Sequence, residues 1–92
     1  MKLKNGMLLR NVADEWLVIP RGNSNMSIDT VVALNQAGAL LWKKLENTDS
    51  TANQLAEILV EEYGIPYNTA LNDVNSFIER MSEAGFLLFG DS

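Results

Sequence analysis

Hydrophobic and polar residues follow two patterns along this chain, one typical of strands before Asn35 and one typical of helices after it. Met7–Ala13 and Glu15–Pro20 are short and rich in β-forming residues, and Asp14 between them suits a tight turn. After a loop of Gly, Asn and Ser, a run of β-branched residues predicts a third strand at Ile28–Leu34. Three strands with short links indicate an antiparallel meander.

A first helix is predicted from Gln36 to about Glu46. Asn35 precedes it, and its side-chain oxygen can accept a hydrogen bond from one of the unpaired amides of the first turn. The apolar residues of this segment fall on one side of the helix, with Trp42 at the margin. One face is therefore expected to be buried and the other exposed.

A second helix follows a short break. Thr51 and Gln54 have the spacing of a capping box, in which each side chain bonds the other residue's backbone amide. The helix is expected to run to Glu62. Gly64 then provides a stop, because glycine adopts the left-handed conformation at little cost.

The third helix begins at Pro66, where a missing amide hydrogen costs least. Its apolar residues recur at intervals of three and four, as a half-buried helix requires, and they are Ala70, Leu71, Val74, Phe77, Ile78 and Met81. Gly85 ends the helix. Phe86–Phe89 is an apolar tail that is expected to pack back on the core and could do so as a strand.

Together these elements predict one domain over residues 1–92, with strands at about 7–34 and helices at about 36–84. The fold class is α+β and winged-helix-like, with a three-stranded antiparallel sheet followed by three helices.

Composition excludes most catalytic chemistry, because the chain contains neither Cys nor His. No disulfide can form, and the commonest general base and the commonest neutral metal ligand are missing. Ser and Thr have no His or Cys to complete a nucleophilic pair, and no glycine-rich phosphate loop occurs. We therefore predict a protein that is not an enzyme and that needs no cofactor or metal. The lack of Cys, of a signal peptide and of a membrane-length apolar segment favours a cytoplasmic protein with no membrane partner.

The charge is unevenly distributed. Residues 1–45 carry six basic and three acidic residues, whereas residues 46–92 carry one basic and nine acidic residues. A DNA-binding winged helix is an alternative function, and its third helix would enter the groove. That helix offers one Arg against three acidic residues, which is the wrong charge for phosphate. Nucleic acid is therefore not the predicted partner.

A protein or peptide partner remains. The third strand lies at an edge of the meander, and an extended peptide can add to such an edge through main-chain hydrogen bonds. On pattern alone, an ordinary core strand covered by a loop is the simpler interpretation. A structural subunit that forms a homodimer through the same edge is a further alternative.

Three segments of the chain carry short motifs whose order and spacing can be compared with known families. The first is Leu34–Trp42 (LNQAGALLW); the second contains Thr51, Gln54-Leu55-Ala56 and Tyr63-Gly64; the third contains Ala70, Asp73-Val74, Phe77-Ile78 and Gly85-Phe86-Leu87. In this order and spacing, over Leu34–Leu88, they resemble the PqqD-like family, PqqD being the pyrroloquinoline quinone synthesis protein D.

The resemblance implies a three-strand, three-helix winged-helix-like fold and the role of a RiPP recognition element. Such a module is a peptide chaperone that binds the leader of a ribosomally synthesised precursor peptide and presents it to a modifying enzyme, often a radical SAM protein. In the family the leader lies as an added strand on the third strand and against the third helix.

Mapped onto this chain, the resemblance implies a binding site on the third strand and one flank of the third helix. The strand residues are Asp29, Thr30, Val31, Val32, Ala33 and Leu34, and the helix residues are Asp73, Phe77, Arg80 and Ala84. The opposite flank of the helix stays open as an alternative, with Leu71, Asn75 and Ser82. Between the two flanks, Val74, Ile78 and Met81 are expected to face the core.

Overall fold

The structure is a computed structural model that describes residues 1–4, 6–20 and 31–88. In the described residues, β2, β3 and β4 form one antiparallel sheet in that order, and β1 pairs with β5. The three-stranded sheet followed by three helices confirms the predicted α+β architecture. The elements are β1 Lys2–Leu3, β2 Met7–Val12, β3 Glu15–Pro20, β4 Val32–Leu34, α1 Gln36–Asn47, α2 Ala52–Tyr63, α3 Tyr67–Glu83 and β5 Leu87–Leu88.

A two-residue turn connects β2 and β3. Val12 pairs with Glu15, and both residues between them have positive φ, +51° at Ala13 and +68° at Asp14. Two positive φ angles match the right-handed twist of the flanking strands, which is why such turns close hairpins. The prediction that the first strand includes Ala13 was therefore wrong by one residue, because the turn requires Ala13 as well as Asp14.

The strand β4 is short in the described part of the chain. It pairs with Trp16–Val18 of β3 through Val32–Leu34, and Val31 precedes it without pairing. The predicted strand began at Ile28. Of the predicted binding residues, Asp29 and Thr30 lie outside the described residues, as does the rest of the segment 21–30.

The helix ends follow the predicted capping chemistry. The backbone amide of Gly38 donates to Asn35 Oδ1 at 2.7 Å. Thr51 and Gln54 form both hydrogen bonds of the capping box. Gly64 has a φ of +66° at the end of α2. These three predictions are confirmed, and α1 and α2 each extend one residue further than expected.

The hydrophobic core lies between the β2–β3–β4 sheet and the helices. Trp42 is fully buried in this core, not at the margin of the apolar side of α1 as the apolar pattern suggested. Its ring contacts Phe86 edge to face, with centroids 6.0 Å apart, and its indole Nε1 donates to Glu46 Oε2 at 2.9 Å. Because Glu46 lies one turn further along α1, the indole can be buried without losing its hydrogen bond.

The two ends of the described chain meet in a small second sheet. Lys2 pairs with Leu88 and Leu3 with Leu87, while the amide of Lys4 donates to the carbonyl of Phe86 at 2.8 Å. This confirms that the apolar tail packs back on the core, although Phe89 lies outside the described residues. The partner strand β1 was not predicted, because a strand of two residues carries no periodic pattern.

Replacing Asp14 by Gly is expected to stabilise the protein by about 1 kcal/mol, because glycine adopts a positive φ without the steric cost that other residues pay. The free energy of unfolding from urea titration measures this. Asp49→Gly is the matched control, since Asp49 does not have a positive φ, and there glycine should destabilise. A neutral or destabilising Asp14→Gly would contradict the assigned turn.

Candidate functional site

The second edge of β4 has no partner strand among the described residues. In an antiparallel pair the backbone groups of successive residues point alternately toward the partner strand and away from it. The carbonyl of Ala33 accepts a hydrogen bond from Arg80 Nη2 of α3 at 2.8 Å. That carbonyl therefore points away from β3, and the amide of Ala33 points the same way. Ala33 thus presents one donor and one acceptor at the open edge.

The two faces of β4 have different environments. Leu34 is buried in the core, and Val32 is half-buried against it. Ala33 lies on the other face of the sheet and is exposed. This alternation anchors β4 from one side, while the backbone groups of Ala33 face away from β3 toward Arg80.

A cleft of about 170 Å³ lies where β4, the start of α1 and α3 meet. Its apolar lining consists of Leu34, Ala37, Leu41, Leu59 and Phe77, together with Gly38. Its polar lining consists of Asn35, Asp73, Ser76 and Arg80. Leu34, Leu41, Leu59 and Phe77 are nearly fully buried, so the floor of the cleft is apolar, while its rim carries exposed polar groups that can orient a ligand.

Three of the four predicted helix residues line this cleft, namely Asp73, Phe77 and Arg80. Phe77 has only 6% of its surface exposed, so it belongs to the core as well as to the cleft wall. Ala84, the fourth, is an exposed residue that ends α3, and it is not among the lining residues. The structure therefore brings Leu34 of the strand together with part of the predicted flank.

The opposite flank of α3 does not face the cleft. Leu71 is half-buried against the core, and Asn75 and Ser82 are exposed. None of the three lines the cleft. The geometry thus favours the flank of Asp73 and Arg80 as the one beside the strand edge.

The local sequence fixes the junction between β4 and α1. Asn35 is the only residue between the two elements, and its side chain caps the helix. A Cβ atom at Gly38 would lie 3.2 Å from Asn35 Oδ1 and 3.4 Å from Leu34 Cβ. The first turn of α1 can therefore approach β4 closely because residue 38 has no side chain. An isolated Gly early in a helix indicates such a close approach, although Gly38 was not among the predicted site residues.

Four further cleft residues were missed by the sequence analysis as site residues. Ala37 and Leu41 follow from the position of α1, and Leu59 and Ser76 come from α2 and α3. In the sequence, Leu41 and Leu59 have the spacing of ordinary core positions. Periodicity shows which face of a helix is buried, but it does not show where two buried faces leave a cleft between them.

A larger concavity lies elsewhere, with a volume of about 530 Å³, between the N-terminal segment and the end of α1. Lys2, Lys4, Glu46 and Asp49 are among the charged residues that line it. None of its lining residues belongs to β4 or α3. This concavity is therefore not the site beside the β4 edge, although it is the larger of the two.

Over residues 1–4, 6–20 and 31–88, no group of three acidic side chains is placed to hold a metal ion. No helix in that part of the chain is both long enough and apolar enough to cross a membrane.

A family model described as coenzyme PQQ synthesis protein D (PqqD) matches residues 20–87 of the chain. The chain belongs to the PqqD family. The matched range begins at the last residue of β3 and contains β4 and all three helices. The elements that build the strand edge and the cleft are therefore those by which the family is recognised.

Two solved structures share the fold over nearly the whole chain. TbiB1 in complex with the TbiA(beta) leader peptide has a TM-score of 0.74 and 16% identity, and the match covers 99% of this chain and 100% of that one. Lasso peptide synthetase B1 complexed with the leader peptide has a TM-score of 0.72 and 20% identity, with 96% of each chain covered. At these identities the likeness shows the fold. No curated protein sequence matches the chain significantly.

The Asn35 cap is expected to determine how firmly β4 is held against α1. Asn35→Ala should lower the free energy of unfolding by about 1 kcal/mol, because the amide of Gly38 loses its acceptor. Asn35→Asp, which keeps a capping oxygen, should stay near the wild type. Urea titration measures both. Asn68→Ala, at an exposed position in the first turn of α3, is the control, and an equal loss there would contradict a specific role for the cap.

Proposed function

We propose that this protein is a non-catalytic peptide-binding module that holds the leader segment of a ribosomally made precursor peptide on the open edge of β4. In this proposal the leader adds as a fourth strand and rests one side chain in the cleft against α3. A modifying enzyme then acts on the part of the peptide that extends beyond the leader. The observation that carries the proposal is that a strand edge with no partner strand among the described residues lies beside a cleft with an apolar floor.

The backbone part of the site suits strand addition. Ala33 offers an amide and a carbonyl at the open edge, which are the groups that an incoming strand pairs with. Main-chain pairing depends little on the guest's sequence, so it supplies affinity for any extended segment. Specificity must then come from the side chains around the edge.

The cleft supports that second requirement. A cavity of about 150 Å³ lined by aliphatic and aromatic side chains is large enough for benzene. The cleft of about 170 Å³ is of similar volume, so it has room for one bulky side chain over its apolar floor. A guest with such a residue on its helix-facing side would gain main-chain bonds and apolar burial together, so we propose that the leader carries one.

Family membership and fold likeness support the choice of a leader peptide as guest. Both similar structures are complexes with leader peptides, in proteins that share this fold. The PqqD resemblance makes a radical SAM enzyme the first candidate for the modifying enzyme. Because ribosomes make precursor peptides in the cytoplasm, we also propose that the protein acts there.

DNA binding receives little support from the described residues. Arg80 is the only basic residue of α3, and it donates to the carbonyl of Ala33. The acidic residues of the helix are Asp73, Glu79 and Glu83, which would face phosphate with the wrong charge. Homodimerisation through β4 uses the same edge as the guest, so a guest peptide would compete with it.

The proposal predicts where a bound peptide changes the protein. Twelve-residue peptides selected from a random display library on the immobilised protein serve as probes, and the tightest is titrated into isotope-labelled protein. Amide shifts are expected in Val31–Leu34 and in Asp73–Arg80, and not in β2. A saturating peptide that shifts β2 alone, or neither β4 nor α3, would overturn the proposal. Sedimentation of the free protein over a range of concentrations distinguishes the dimer alternative.

A proline pair tests the strand edge directly. Ala33→Pro removes an amide that faces the open side, so the sheet should persist while peptide affinity falls at least tenfold. Asn11→Pro is the matched control. Asn11 of β2 pairs with Trp16 of β3, and Trp16 in turn pairs with Leu34 of β4. Because backbone groups alternate along a strand, the amide of Asn11 faces the outer edge of β2, which is the opposite edge of the same sheet. Equal losses of affinity in the two variants would contradict addition at β4.

A further inference from the structure

Arg80 occupies the edge at which the guest is proposed to bind. It is the only basic residue in the second half of the chain, residues 46–92. Its exposed side chain extends from α3 to β4, where Nη2 donates to the carbonyl of Ala33 at 2.8 Å. The acceptor that an added strand requires is thus already bonded to a side chain of the same protein.

Arg80 and an added strand cannot occupy this space together. Neighbouring strands lie about 4.8 Å apart, with the donor amide directly opposite its acceptor carbonyl. The guanidinium lies within that distance of the edge. Edge strands are commonly protected from unwanted pairing by charged side chains, and the contact between Arg80 and Ala33 has this form. A guest strand must therefore displace the guanidinium.

Once displaced, the exposed guanidinium can be hydrated or can pair with a carboxylate. It is always charged, and its planar arrangement of donors matches a carboxylate. On α3 itself, Asp73 lies two turns away, about 10 Å along the helix axis. Glu83 is three residues on and exposed, where ion pairs contribute little. A carboxylate on the guest, held beside the cleft by strand pairing, is fixed in place and can accept two parallel hydrogen bonds.

We propose that Arg80 is a displaceable cap of the β4 edge that selects guests carrying Asp or Glu on the helix-facing side, next to the residue that pairs with Ala33. In the free protein the cap covers the carbonyl of Ala33. In the complex a peptide amide takes that carbonyl and the guanidinium pairs with the guest carboxylate. This inference rests on the proposed function, and it adds a chemical class of guest that the strand edge alone does not specify.

Library selection on three variants tests the inference. Wild type, Arg80→Gln and Lys44→Gln are each used to select twelve-residue random peptides. Lys44→Gln is the matched control, because it removes the same charge from an exposed position that does not line the cleft. Wild type and the control should enrich Asp or Glu at a fixed distance from a bulky apolar residue. Arg80→Gln should enrich the apolar residue without the acidic one.

Affinities then test the pairing itself. An enriched acidic peptide should bind wild type about tenfold more tightly than its Gln version, and this difference should vanish in Arg80→Gln. The Gln version should bind Arg80→Gln at least as tightly as wild type, because there is no cap to displace. Glu83→Gln should keep the preference for the acidic peptide.

Each contrary result has a separate meaning. Peptides that shift Val31–Leu34 but show no acidic preference in wild type, or keep that preference in Arg80→Gln, overturn the role of Arg80 and leave the proposed function intact. If no selected peptide shifts that segment, the proposed function fails and the role of Arg80 fails with it.

Discussion

Asn35 is the entire connection between β4 and α1, because β4 ends at Leu34 and α1 begins at Gln36. Its side chain replaces a connecting loop by accepting the amide of Gly38, and the missing side chain at Gly38 lets the helix start close against the strand. No loop separates β4 from α1. The edge of β4 therefore lies beside the helices, and the cleft forms where α3 crosses this junction.

Burial on the inner face makes the short strand usable as a binding edge. Leu34 and Val18 are buried in the core, and they hold β4 in register with β3. A free strand of three residues would not keep an extended conformation by itself. Here the core fixes one face, so the backbone groups of Ala33 are already positioned for a partner. A preorganised edge lowers the entropy cost that binding has to overcome.

The sequence predicted features that depend on local chemistry or on long periodic segments. The three helices, the Asn35 cap, the Thr51–Gln54 box and the stop at Gly64 belong to this group. Features set by distant contacts were missed. The strand β1 exists because Leu87 and Leu88 return to it, and Trp42 is buried because Phe86 packs on it and Glu46 accepts its indole hydrogen. The bond from Arg80 to Ala33 spans 47 residues, so no local pattern could indicate it.

Hydrogen exchange at the amide of Ala33 tests strand addition most directly. The amides of Val32 and Leu34 point toward β3 and should already be protected in the free protein, whereas the amide of Ala33 faces the open edge and should exchange quickly. Saturation with a selected peptide should slow exchange at Ala33 and leave its two neighbours nearly unchanged. If Ala33 exchanges equally fast in the free and saturated protein, the peptide does not add to β4 and the central claim is wrong.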